Sequence, residues 1–99
     1  MALSVEHRRL ILTLYRYHYP GSPAKAARDL VSYGREMSLT ERMTVIKGET
    51  LRSWATDTKA PLWAVCAAAY WLKEREVPLT TDEQAAMNAV MQIPAINNQ

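Results

Sequence analysis

The sequence has no phenylalanine, one cysteine and three glycines, and the low counts of cysteine and glycine each exclude a class of site or protein. A single cysteine cannot form a disulfide within the chain, which excludes a secreted disulfide scaffold and a zinc site built on cysteines. Three isolated glycines leave no glycine-rich loop to hold a phosphate. No apolar run reaches the ~18 to 20 residues that span a bilayer, so we expect no membrane partner.

Catalytic and metal-binding groups are also sparse. His7 and His18 lie eleven residues apart, which on a helix is about 16 Å, too far to share a metal ion within one chain. Cys66 lies in an apolar stretch, and such surroundings raise the pKa of a thiol instead of activating it. We therefore expect no enzyme, no metal and no cofactor. Because the basic residues follow the first apolar residues, unlike in a secretory signal, we expect a cytoplasmic protein.

Hydrophobic residues make up 48% and charged residues 22% of the 99 residues, which is typical of a globular chain. Helix-start signals recur at Ser4, Ser22-Pro23, Pro61 and Thr80, whereas no stretch alternates apolar and polar residues as a strand would. The sequence predicts an all-α fold, a compact bundle of five to six short helices that contains a helix-turn-helix-like unit. We expect one domain over residues 1–94 and a flexible tail over 95–99.

Charge is unevenly distributed along the chain. Residues 1–59 hold ten Lys or Arg against six Asp or Glu, whereas residues 60–99 hold two against four. The first part therefore carries about +4 and the second about −2. A basic half favours an anionic partner.

One segment within the basic half has the pattern of a binding element. Ser38 and Glu41 match a capping box, which predicts a helix over residues 39–46. Lys47-Gly48 would form the turn, and a second short helix would follow over residues 49–55. This order of helix, turn and helix is the pattern of a DNA-binding helix-turn-helix.

In that interpretation Leu51 and Trp54 hold the second helix on the domain and leave its polar side outward. Short polar and cationic side chains on such a side can reach base edges and phosphates in the major groove. The residues expected to contact DNA are Arg42, Lys47, Thr50, Arg52, Ser53 and Lys59.

The stretch Leu51-Arg52-Ser53-Trp54, followed by Thr58-Lys59-Ala60-Pro61 and an apolar helix, resembles part of a known family. It is similar to the end of the recognition helix in phage repressors of the Cro and cI class, over about 25 residues. The resemblance implies a small transcriptional regulator whose partner is double-stranded DNA. We expect a homodimer, because one short recognition helix contacts few base pairs and two half-sites multiply the affinity.

A second placement of the helix-turn-helix unit on this sequence, a second registration, remains open. Residues 24–30 also resemble the first helix of a helix-turn-helix, and residues 38–47 would then form the reading helix. Thr40, Arg42 and Lys47 would face outward in that case. Both registrations use the same basic half of the chain.

A different class of function is open as well. The chain is rich in tryptophan and tyrosine, and aromatic residues dominate the energetics of protein interfaces. A small helical adaptor, antitoxin or phage-encoded inhibitor could bind a host protein through one aromatic and methionine-containing face. The interface residues would be Trp63, Tyr70, Trp71, Met87 and Met91.

Overall fold

The computed structural model describes residues 3–41, 43–56 and 60–92. Within these ranges the chain forms five α-helices and no strand, which confirms the all-α class. The helices are α1 (Val5–His18), α2 (Pro23–Glu36), α3 (Gly48–Thr56), α4 (Leu62–Glu74) and α5 (Thr81–Met91). No helix in the described part of the chain is both long enough and apolar enough to cross a bilayer.

The starts of the helices follow local capping. Ser4 Oγ and Ser22 Oγ each accept a hydrogen bond, 3.1 Å long, from a backbone N–H in the first turn of the helix that follows. Pro61 immediately precedes α4, and Thr80 forms a reciprocal capping box with Glu83 at the start of α5. The helix starts predicted at these four positions are confirmed.

The core lies around α4. Residues 64–69 of this helix are all buried, and four of them are alanines, whose small side chains allow neighbouring helices to approach closely. Helices α1, α2 and α5 pack against α4, while α3 packs against α1 and α2. The largest side chains sealed in this core are Tyr15, Ile11, Leu12, Leu30, Leu51 and Leu72.

The predicted helix over residues 39–46 is wrong, because the described residues between α2 and α3 are not helical. Ser38 does not cap a new helix; it has φ +62° and closes the previous one. Its N–H donates to Arg35 O at 3.0 Å, and Leu39 N–H donates to Gly34 O at 2.8 Å. This pair of bonds around one left-handed residue is a Schellman motif, which terminates a helix.

Gly34 lies within α2 and does not end it, since α2 continues to Glu36. The residue is buried, and a Cβ at this position would lie 3.1 Å from Cε3 of Trp63. Gly34 therefore allows α2 and α4 to pack closely instead of ending α2.

Candidate nucleic-acid interface

Helix α3 is anchored on the domain by one of its faces. Leu51 is fully buried and Ala55 nearly so, one turn apart on the side that packs against α1 and α2. Trp54 is half-buried and meets Trp63 edge to face, with ring centroids 6.1 Å apart. The anchoring role predicted for Leu51 and Trp54 agrees with this geometry, and it leaves the opposite side of α3 in solvent.

The outward side of α3 carries Glu49, Arg52 and Thr56, all exposed. Arg52 Nη2 lies 3.3 Å from Glu49 Oε2, so the two side chains form a hydrogen-bonded ion pair across one helical turn. Thr56 Oγ1 donates to Arg52 O at 2.9 Å, which leaves the Arg52 side chain unaffected. The outward side therefore presents an acid and a base side by side, where the sequence had indicated only positive and neutral groups.

The first residue of α3 lies against the start of α2. A Cβ at position 48 would be 3.1 Å from both Ala24 N and Pro23 C, so a larger residue would push the two backbones apart by a few tenths of an ångström. Each helix N-terminus carries roughly half a positive charge from its aligned peptide dipoles. The positive ends of α2 and α3 thus lie side by side, with the exposed Lys47 immediately before α3.

The two helices that contact each other here, α2 and α3, come from different registrations of the predicted helix-turn-helix unit. The first helix of one registration, residues 24–30, belongs to α2, and the second helix of the other, residues 49–55, belongs to α3. Neither registration is right as a whole, because residues 38–41 and 43–47 form no helix. Helices α2 and α3 are in direct contact although the described residues between them, 37–41 and 43–47, are not helical.

The predicted DNA-contacting residues divide into three groups. Lys47 and Arg52 are exposed, at the N-terminal end of α3 and on its outward side, respectively. Thr50 and Ser53 are partly buried on the flank of the same helix. Arg42 and Lys59 lie outside the described residues, as does the predicted tail over 95–99.

The residues proposed for a protein interface lie mostly inward. Trp71 and Met87 are buried, and the other three, Trp63, Tyr70 and Met91, are partly buried and pack against the core. Exposed apolar side chains lie elsewhere: Tyr17 of α1 is 81% exposed, and Met43 and Val45, between α2 and α3, are 77% and 55% exposed. Sequence reasoning missed Met43 and Val45 because it assigned their segment to a helix.

Basic residues on α2 are partly neutralised within the fold. Lys25 Nζ lies 2.9 Å and Arg28 Nε 3.7 Å from the Asp29 carboxylate, which also accepts a hydrogen bond from Tyr19. The hydrogen bond from Tyr19, followed by that from Lys25, holds the pKa of Asp29 below its usual value. The Lys25 ammonium also lies 5.2 Å from the centre of the Tyr19 ring.

Two titratable groups, Cys66 in the core and Tyr33 at its edge, are held in their protonated forms near neutral pH. Burial raises the pKa of the Cys66 thiol to about 11, against a smaller opposing effect of Arg8. Burial, with the Glu74 and Glu36 carboxylates nearby, raises the pKa of Tyr33 to about 12. Neither group is activated as a nucleophile near neutral pH. Within the described residues no three of the His, Cys, Asp and Glu side chains are grouped to hold a metal ion.

A broad cleft of about 550 Å³ lies between α1 and α5 and is open to solvent. His7 and Arg9 line it from α1, and Asp82 from α5, so it presents charges of both signs. Mixed charge around an open cleft indicates no particular ligand.

Comparison with known proteins yields no family for this chain. No family model matches the sequence, and no match was found among curated proteins or solved structures.

Proposed function

We propose that the protein is a small DNA-binding transcriptional regulator in which α3 is the recognition helix and α2 its supporting helix. The observation that carries the proposal is the attachment of α3: Leu51 and Ala55 are buried on one side, and Arg52 is exposed on the other. Its nine residues span about 13 Å, and the diameter of a helix, about 10 to 12 Å, fits the roughly 12 Å width of the major groove.

The adjacent helix N-termini support the same function. In a helix-turn-helix the recognition helix enters the groove by its N-terminal residues while the first helix crosses the DNA backbone. Backbone N–H groups at helix N-termini are ready donors to phosphate oxygens. The contact of Gly48 with Pro23 and Ala24 puts two such ends together, next to Lys47.

The proposal predicts a salt-sensitive affinity for duplex DNA that depends on Lys47 and Arg52. Replacing both in Lys47→Ala/Arg52→Ala removes up to two phosphate or base contacts, so affinity falls and the exponent of the salt dependence drops by about 1 to 2. Fluorescence anisotropy with a labelled random duplex, at low and at physiological salt, measures both quantities.

A control variant that removes two positive charges elsewhere in the fold tests whether the position of the charges matters for DNA binding. Lys73→Ala/Arg75→Ala removes two positive charges at the far end of α4, away from the contact between Trp54 and Trp63 at its start. This variant should retain nearly all of the affinity. Equal losses in the two double variants would show that net charge alone governs the binding and would contradict the proposed role of α3.

We further propose that the protein binds DNA as a homodimer, with half-sites about 34 Å or a multiple apart. The proposal rests on the shortness of α3, which can contact only a few base pairs. Light scattering with and without a duplex of two half-sites tests it, and one chain bound per duplex at saturation would contradict it.

A second candidate function is favoured by the exposure of Met43 and Val45, since exposed apolar side chains on one short segment are typical of a protein-binding surface. The chain would then be an adaptor or inhibitor of a host protein. Binding through apolar contacts changes little with salt, whereas phosphate binding weakens steeply, so the salt titration separates the two functions.

A further inference from the structure

The ion pair between Glu49 and Arg52 places a carboxylate on the helix that we propose meets DNA. Its two groups are 3.3 Å apart, with Arg52 53% and Glu49 78% exposed. A carboxylate in this place repels phosphates and therefore lowers the affinity for every DNA sequence. A function for Glu49 in DNA binding must accordingly lie in selecting among sequences.

The chemistry of the pair matches the major-groove edge of one base pair. Guanine presents two acceptors, O6 and N7, and its partner cytosine presents one donor, the N4 amino group. A guanidinium offers donors to the guanine, and a carboxylate accepts from the cytosine amino group. An A·T pair offers a different order of donors and acceptors, together with the thymine methyl group.

We propose that Glu49 and Arg52 act as one unit that selects a G·C base pair. The inference rests on the proposed function of α3 and names the base pair that this helix reads. Arg52 contacts the guanine, while Glu49 accepts from the cytosine and holds the guanidinium in place.

The geometry within the helix supports a joint role. Residues three apart on a helix lie on the same side, and the two side chains are already in contact without DNA. A long arginine side chain loses rotamer freedom when it docks, and a partner that restrains it beforehand reduces that loss. Glu49 also lies in the first turn of α3, the part of a recognition helix that reaches base edges.

The test is selection from a pool of randomised duplexes, followed by sequencing of the bound fraction, with the full chain and three variants. The wild type should enrich a G·C pair at one position of each half-site by at least about fivefold. Glu49→Ala, which removes the acceptor and the negative charge, should flatten that preference while binding random duplex as tightly as the wild type or more tightly. Arg52→Ala should flatten the preference and also weaken binding.

Lys47→Ala is the matched control, because Lys47 adjoins α3 but lies outside the ion pair. It should weaken binding to all sequences and keep the G·C preference. All substituted side chains are exposed, so unchanged melting temperatures establish that each variant is folded.

The two proposals fail in different ways. If the wild type binds no duplex at low salt, the proposed function fails and the inference with it. If the wild type selects DNA sequences but Glu49→Ala shows the same G·C preference as the wild type, only the inference is overturned.

Discussion

At the scale of single residues, Arg8 is a charged side chain that tertiary contacts bury within the fold. The sequence groups it with the basic half of the chain, yet its side chain is only 6% exposed. Its Nε donates to Leu3 O at 3.2 Å and its Nη1 to Ala60 O at 2.6 Å. Arg8 thus ties the start of α1 to the residue before Pro61, and it contributes nothing to a DNA-facing surface.

We predict that Arg8→Met lowers the free energy of unfolding by about 2 to 4 kcal/mol. Methionine retains much of the apolar stem, but the carbonyl oxygens of Leu3 and Ala60 lose their donor, and an unsatisfied buried polar group costs about 1 to 3 kcal/mol. Urea denaturation measures the change. Arg28→Met, at an exposed position, should change stability by less than about 0.5 kcal/mol. Similar decreases in the free energy of unfolding for Arg8→Met and Arg28→Met would contradict the structural role of Arg8.

At the scale of the elements, the C-terminal ends of α2 and α4 could not be recognised from the sequence. Both α2 and α4 are followed by a left-handed residue, Ser38 with φ 62° and Glu76 with φ 54°. The bond from Val77 N–H to Leu72 O repeats at the end of α4 the pattern that Leu39 forms at the end of α2. This position usually holds glycine, so the usual signal of a helix end is missing at both sites.

We predict that Ser38→Gly raises the free energy of unfolding by about 1 kcal/mol, because glycine adopts positive φ without the steric penalty of a Cβ. Thermal or urea unfolding measures the gain. Glu36→Gly, at the last helical residue of α2, should instead lower stability by up to about 1 kcal/mol. If Ser38 were the N-cap of a helix, Ser38→Gly would cost a few tenths of a kcal/mol instead of stabilising.

Only part of the candidate site on α2 and α3 could be predicted from the sequence. Helix α3 and its anchors Leu51 and Trp54 follow from the spacing of apolar residues, which is local information. Its partner α2 does not, because the contact of Gly48 with Pro23 joins residues far apart in sequence. The pairing of Arg52 with Glu49 was also missed, although the three-residue spacing of an acid and a base was a usable signal.

At the scale of the whole molecule, the core makes the fold sensitive to alkali. The pKa of Cys66 is raised to about 11 and that of Tyr33 to about 12, and burial raises the pKa of Tyr15 as well. The unfolded chain loses these protons at lower pH than the folded chain. Stability is therefore fully present below about pH 8 and falls as the pH rises through the ordinary cysteine pKa of about 8.5 to 9, where the thiol ionises in the unfolded state.

We predict that the free energy of unfolding, measured by urea titration at a series of pH values, is level near pH 8 and declines between about pH 9 and 12. A thiol reagent should label Cys66 at pH 8 only at the rate of unfolding, since the thiol is 1% exposed and protonated. Labelling should be complete at once in denaturant. Rapid labelling of the native protein would contradict the buried position of this residue.

The sequence by itself determined the all-helical class and the starts of four helices, because capping groups and helical periodicity act between residues close in the chain. Only the tertiary structure decided which helix supports α3 and that Arg8 is buried. These features depend on contacts such as the bond from Arg8 to Ala60, whose partners are 52 residues apart. Such contacts exist only once the helices have packed, so no local pattern encodes them.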